Sequence, residues 1–228
     1  MIKKIISLIM TLALVLFISN PISSCENRYN STIINRVRVH VLRADAKNIK
    51  IIKEQGKIKY LRTVVKENNG WGAINASFYN MNNRRPCGLL IIEGKVISKN
   101  VYNRPYIVIG DKTYISDDKN ISSDAKLAVG GGSYLLKDGK KYFTNNHFSK
   151  QFTNSVVRRT CIGINKEGKV LLVVIKGANI WRCANIMKSL GATDAISLDG
   201  GTSSQMYYEG KYIVASNRIT PVVIVAGY

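Results

Sequence analysis

Asp199 carries the carboxylate best placed for chemistry in this sequence. It follows the apolar run Ala195–Leu198 and precedes Gly200 and Gly201, and three hydroxyl side chains, Ser203 among them, come next. Loops at strand ends often display reactive groups, and glycines let a ligand approach the backbone closely. Exposed glycine amides can also form an anion-binding nest. The stretch therefore predicts a site for a small polar ligand with an anionic part; an Asp-Gly hairpin turn is the alternative.

Three other features are candidates for the same site. Asn75 lies within an apolar strand, where its amide needs either an internal hydrogen bond or a ligand. Arg159 stands at the edge of another apolar strand, where its planar fork suits a phosphate, unless it is only a solvated strand-end charge. Gly131 is the centre of a three-glycine run that allows either close backbone approach or a simple kink.

The elements that must position these residues are mostly strands. Strict alternation predicts a half-buried strand over 36–41, with 49–52 as its partner. Glycine-containing turns predict a series of hairpins, and helical periodicity predicts helices over 61–68 and 180–190. The sum predicts one α+β domain: a strand-rich mixed sheet with a few helices.

The N-terminus has the pattern of an export signal. Lys3 and Lys4 precede an almost unbroken apolar run of the length of a secretory h-region, and Ile22-Ser23-Ser24-Cys25 is similar to a bacterial lipobox. This predicts a signal peptide over 1–24, lipid attachment at Cys25, a tether over 25–35 and a folded domain over 36–228. The expected location is the bacterial cell surface or membrane. An ordinary secretory signal, or a retained N-terminal anchor, would be the alternative.

Charge and the pattern of cysteines and histidines indicate which ligands and metals the protein is expected to bind. The formal net charge is +20, which favours an anionic surface or substrate, although a lysine-rich proteome would give the same value. The export signal and the scatter of the basic residues argue against nucleic acid. With two histidines and no Cys-x-x-Cys spacing, a structural zinc site is not predicted. Cys161 and Cys183 are expected to be small core residues, and the pairing of the cysteines, Cys87 included, stays open.

Several motifs occur together in a recognisable order. The chain resembles the phosphodiester glycosidase family over roughly 36–228. The segments that carry the resemblance are Asn75–Tyr79, Gly130–Gly132, Arg159-Thr160 with Gly163-Ile164, Gly191-Ala192, Leu198–Ser204 and Asn217–Val222.

The resemblance implies an exported hydrolase that cleaves the glycosidic bond of a sugar 1-phosphodiester, N-acetylhexosamine-like, in a surface polymer or glycoconjugate. It implies catalytic roles for Asp199 and Arg159. The partners implied are an anionic glycan or glycosyl phosphodiester and, through the lipid, a membrane. No cofactor is predicted, and a divalent cation held by Asp199 stays an open alternative. The residues implied to bind substrate are Asn75, Gly131, Gly200, Gly201, Ser203 and Arg218.

One departure from the family bears on activity. Where the strand before the long helix commonly ends in Asp-Gly, this chain has Lys176-Gly177. A catalytically inactive surface module that binds anionic glycans is therefore the alternative function. A single acid is nevertheless consistent with hydrolysis, because a phosphate monoester is already a stable anion and scarcely needs the general acid of an ordinary glycosidase. Arg159, Arg218 or loop amides could hold its charge.

Overall fold

A computed structural model describes residues 27–54, 59–143 and 148–228. The predicted signal peptide over 1–24 and the lipid-bearing Cys25 lie outside these residues. Within the described ranges, no helix is long and apolar enough to cross a membrane.

Strands dominate the chain, as the sequence predicts. The three α-helices of the described residues are α1 (Leu61–Glu67), α2 (Lys150–Asn154) and α3 (Ile180–Ser189). The strands are β1 (Tyr29–Ile34), β2 (Val37–Ala44), β3 (Ile49–Lys53), β4 (Gly70–Asn75), β5 (Leu90–Ile92), β6 (Lys95–Ser98), β7 (Tyr106–Ile109), β8 (Tyr114–Ser116), β9 (Leu127–Gly130), β10 (Tyr134–Lys137), β11 (Lys140–Lys141), β12 (Val157–Asn165), β13 (Val170–Ala178), β14 (Ala192–Ser197), β15 (Met206–Tyr208), β16 (Lys211–Val214) and β17 (Val222–Gly227).

The strands form three separate sheets, and not the single mixed sheet that the sequence predicts. The largest has the order β1-β2-β13-β12-β14-β10-β11, and the two five-stranded sheets have the orders β16-β15-β4-β17-β3 and β6-β5-β9-β7-β8. Every strand pair among the described residues is antiparallel. The α+β class and the strand-rich single domain are thus confirmed.

The seven-stranded sheet is buried on both faces at its centre, where residues 161–164 of β12 and 170–175 of β13 are buried without interruption. On β12, Ile162 faces a core shared by all three sheets. Its neighbour Cys161 faces the other way, toward a second core under α3. The apolar stripe of α3 includes Cys183, which is fully buried beside Cys161, and the two cysteines are core residues as predicted.

Long-range pairing differs from the prediction in two places. The strand β3 pairs with β17, not with β2, so the predicted partner was wrong. β2 instead pairs with β13 and with β1, which covers most of the segment expected to be a tether. Alternation identifies a strand but does not identify its neighbour, because the pairing is decided by which apolar faces meet in the core.

Candidate active site

The candidate site lies where loops from all three sheets meet. Asn75 ends β4 in one five-stranded sheet, Gly131 follows β9 in the other, and Asp199 follows β14 in the seven-stranded sheet. The Asp199 N–H donates to the Ala76 carbonyl at 3.1 Å, and the Leu198 N–H donates to the Thr160 carbonyl at 2.8 Å. These backbone bonds join the Asp199 loop to β12 and to the end of β4, which are far from it in sequence.

Asn75 is the centre of this junction. Its side chain is fully buried, and its Nδ2 donates to the Asp199 carbonyl at 2.7 Å. Its Oδ1 accepts from the Thr160 hydroxyl at 2.9 Å and from the Gln205 N–H at 3.1 Å. The substrate contact predicted for Asn75 is therefore replaced by a positioning role, because its amide binds three other segments of the protein.

The carboxyl group of Asp199 is partly buried. Loss of hydration raises its pKa from 3.8 to about 6, because burial disfavours the charged form. Hydrogen bonds from the Ser203 hydroxyl and the Gly200 N–H oppose this rise, as does the positive charge of Arg218. A carboxylate with this pKa is a stronger base than an exposed aspartate and is still ionised at neutral pH.

The loop after Asp199 needs its glycines for two different reasons. Gly201 has a φ of +60°, a conformation that favours glycine, and starts a short 3-10 turn that ends at Ser203. Gly200 needs space instead: an added Cβ would lie 3.1 Å from the Arg158 carbonyl oxygen. Of the three predicted loop residues, Gly200 and Ser203 donate hydrogen bonds to the Asp199 carboxylate.

The three-glycine run packs directly against the end of β14. The Gly131 N–H donates to the Pro105 carbonyl at 2.8 Å, and the Gly132 N–H donates to the Ser197 carbonyl at 2.7 Å. A Cβ on Gly131 would lie 2.5 Å from the same Ser197 oxygen. Gly131 is therefore needed because two backbone segments pack closely here. The sequence left open whether this glycine serves the approach of a ligand or a simple kink, and in the structure the group that approaches it is the backbone of β14.

Arg159 has a different environment from the one predicted. Its side chain is buried, and its Nε donates to the Ala178 carbonyl at 3.0 Å. Its Nη2 donates to the carbonyls of Phe152 and Ser155, at 2.6 and 2.8 Å, where α2 ends. We correct the predicted phosphate contact to a structural one, because these bonds use the guanidinium to hold α2 against β12 and β13.

Arg218 is exposed beside the Asp199 loop. Its Nη1 lies 3.6 Å from the Met81 sulfur, and its carbonyl accepts from Gln205 Nε2 at 3.2 Å. Lys176 is exposed near the end of β13 and acts electrostatically on His40. In the described part of the chain, no three His, Cys, Asp or Glu side chains cluster in a way that could hold a metal ion.

Comparison with known proteins agrees with this arrangement. The family model for phosphodiester glycosidase matches residues 68–224, which contain every candidate site residue named above. The chain belongs to the phosphodiester glycosidase family.

Both curated relatives and solved structures are similar to this chain in sequence or in fold. N-acetylglucosamine-1-phosphodiester alpha-N-acetylglucosaminidase of Mus musculus, and that of Homo sapiens, are each 24% identical to this chain in alignments of 164 residues that cover 60% of it. The chain spans 32% of the length of these curated relatives. The fold is similar to the zebrafish catalytic domain of the same name, with a TM-score of 0.73, 18% identity and coverage of 88% of this chain and 81% of that one. A hypothetical protein from Synechocystis gives 0.76 at 15% identity, over 86% and 61% of the two chains.

The sequence pattern assigned no role to some residues of this candidate site. Gln205 links the Asp199 loop to the Arg218 loop through its side chain, and the Thr160 hydroxyl lies 3.1 Å from that of Ser204. A polar residue within an apolar strand was the available signal for Thr160, the same signal that singled out Asn75. Arg104 lies in the loop before β7, which has no periodic pattern, so no local signal marks it.

Proposed function

We propose that this chain hydrolyses the glycosidic bond of a sugar 1-phosphodiester. The observation that carries the proposal is the single desolvated carboxylate of Asp199, whose charged neighbour among the described residues is Arg218 and not a second acid. Hydrolases of plain glycosides use two carboxylates about 5–10 Å apart, because a sugar alcohol leaves only with the help of a general acid. A phosphate monoester leaves as an anion, so one carboxylate and a nearby positive charge suffice.

In the proposed reaction, Asp199 acts as a general base. Its carboxylate takes a proton from water, and the water oxygen forms a bond to the anomeric carbon of the sugar. The bond from that carbon to the phosphate oxygen breaks, and its electron pair leaves with the phosphate monoester. The products are the free sugar and the phosphate monoester, and the proton on Asp199 returns to solvent. An N-acetylhexosamine 1-phosphodiester is the substrate we propose, on the strength of what the curated relatives are named for.

The test is release of free sugar from a panel of sugar 1-phosphodiesters by the purified protein. We expect Asp199→Asn to lower kcat by about 100-fold or more, because general-base catalysis is typically worth 10²–10⁴. Asp111→Asn, which removes an exposed carboxylate in the turn after β7, is the matched control and should keep full activity. Wild-type turnover in Asp199→Asn would overturn the assignment.

A binding module without turnover is the second candidate, and Lys176 favours it together with the net charge of +20. In that case the protein would bind anionic glycans in a salt-sensitive manner and release no sugar from any member of the panel. Restoring the acid with Lys176→Asp would then be expected to give turnover where the wild type has none.

We also propose export as a lipoprotein, which rests on the N-terminal sequence. Acylation at Cys25 would hold the domain at the cell surface near polymers and glycoconjugates. Mass spectrometry of the mature N-terminus tests this: a diacylglyceryl-modified Cys25 supports it, and an unmodified terminus after another cleavage site contradicts it.

A further inference from the structure

The guanidinium of Arg104 is enclosed by three aromatic rings. Its Cζ lies 4.5 Å from the ring centroid of Phe148, 4.7 Å from that of Tyr102 and 5.3 Å from that of Phe78. Its backbone is fixed by Asn100, whose Oδ1 accepts from the Arg104 N–H at 3.0 Å and whose Nδ2 donates to its carbonyl at 2.8 Å. The side chain is therefore held in one place by its surroundings.

This guanidinium has no anionic partner among the described residues. Its Nε is buried without a hydrogen-bond partner, and none of its nitrogens forms an ion pair with an acid of the described ranges. Desolvation lowers the pKa of Arg104, because the cation has lost water. Contact with ring faces offsets part of this cost, but a buried charge is stabilised chiefly by an opposite charge. An anionic ligand would supply the opposite charge and the hydrogen-bond acceptors that this guanidinium lacks among the described residues.

Arg104 lies close to the Asp199 loop. Its neighbour Pro105 accepts the Gly131 N–H at 2.8 Å, and the next glycine bonds to Ser197, two residues before Asp199. Phe78, which stacks on the guanidinium, also packs on this run, since a Cβ on Gly132 would lie 3.2 Å from its ring. The three-glycine run thus connects the Arg104 loop to the end of the strand that carries Asp199.

We propose that Arg104 binds the phosphate group of the substrate and so makes the site specific for phosphodiesters. This inference rests on the proposed function. Arginine suits the role because its planar fork forms two parallel hydrogen bonds to phosphate oxygens. Arg159 is engaged by backbone carbonyls, so the structure gives the phosphate role to Arg104, which the sequence did not single out. The rings of Phe78, Tyr102 and Phe148 shield part of the guanidinium from water, which strengthens its attraction to an anion.

The test compares two substrates of the same sugar: a 1-phosphodiester and a neutral aryl glycoside. We expect Arg104→Gln to lower kcat/KM about 100-fold for the phosphodiester, since charge-assisted hydrogen bonds are lost, and to change the neutral substrate less than threefold. Arg104→Lys keeps the charge without the fork and should lose about tenfold. Arg43→Gln, on β2 in the seven-stranded sheet, is the control for loss of one positive charge and should leave both substrates unaffected. A folded Arg104→Gln or Arg104→Lys protein with wild-type kcat/KM for the phosphodiester would overturn the proposal.

A binding measurement separates this inference from the proposed function. Calorimetry measures the affinity of the same sugar's 1-phosphate for the wild type, for Arg104→Lys and for Arg104→Gln, and thermal melting shows which variants fold. If the wild type shows no turnover, the hydrolase proposal fails. A tenfold or greater loss of sugar 1-phosphate affinity in either folded variant would still support Arg104 as the phosphate-binding residue. Equal affinity in all three proteins would reject Arg104 even if the hydrolase proposal stands.

Discussion

At the scale of single residues, Asn75 and Asp199 have different roles in the site: Asn75 positions the loop, and Asp199 supplies the carboxylate. Asn75 fixes the backbone of the Asp199 loop by hydrogen bonds, and Asp199 is left with a partly desolvated carboxylate. A net hydrogen bond contributes about 1 kcal/mol, but an orphaned buried partner costs about 1–3 kcal/mol. Three buried groups therefore depend on the Asn75 side chain for a hydrogen bond. A substitution that removes these bonds would free the Asp199 loop from its position.

The raised pKa of Asp199 gives a prediction for stability. The folded-state pKa is about 6 and the ordinary value is 3.8, so the folded protein binds the extra proton between these values. The cost of burying the charged carboxylate is therefore close to zero below pH 4. This cost increases as the pH rises from 4 to 6, and it reaches its full value above pH 6. Asp199→Asn removes that cost, and we expect it to stabilise the protein by about 1–3 kcal/mol at pH 7 and by nothing at pH 4. Thermal or urea unfolding at the two pH values measures the difference.

The same titration governs activity, in the opposite direction. The proposed base must be ionised, so kcat/KM should fall as the pH drops through about 6. Asp111→Asn serves again as the control and should show neither the stability gain nor a change in the pH profile. Equal stabilisation of Asp199→Asn at pH 4 and pH 7 would show that burial of the charge is not its source.

At the scale of elements, the site is built by close contact between strand ends. The run after β9 passes under β14 so closely that only hydrogen fits in place of a side chain at Gly131. Arg159 connects α2 to the same region through the last carbonyls of that helix, where a positive charge is favourable. The distance between the three sheets at the site is therefore determined by backbone contacts.

This packing predicts different effects for two glycine substitutions. Gly131→Ala would place a Cβ 2.5 Å from the Ser197 backbone oxygen, so β14 must move, and we expect a loss of about 2–4 kcal/mol of stability together with loss of activity. Gly110→Ala lies in open space, with no atom within 4 Å of its Cβ, and should change stability by less than about 0.5 kcal/mol. Denaturant unfolding of both variants measures this, and similar stabilities would contradict the contact.

At the scale of the whole molecule, the fold places the site at a junction of three sheets in a strongly basic chain. One core is shared by the three sheets, and their loops meet at one end, a common position for ligand sites. The formal charge of +20 acts over longer distances than any single contact and is expected to attract anionic polymers.

We expect this charge to appear as a salt dependence that grows with substrate charge. For a sugar-phosphate polymer, kcat/KM should fall about tenfold or more between 50 and 500 mM NaCl, because salt screens long-range attraction. A short phosphodiester with one negative charge, assayed beside it, should lose much less. The same salt dependence for both substrates would show that the net charge does not steer the substrate.

The sequence by itself determined most of the local structure and the family, and it is the source of the proposal that Asp199 is the reactive carboxylate. Periodicity and turn residues predict β2, the β12–β13 hairpin and α3, because these depend on contacts between near neighbours. The position of Asp199 at a strand end is a local property too. Tertiary structure decided which strands pair, such as β3 with β17, since that depends on which apolar faces share a core. It also decided the roles of the polar residues: Asn75 and Arg159 are used inside the protein, whereas Arg104 is left with a charge to be matched. Sequence shows which groups are present, and only the fold shows which of them already have partners.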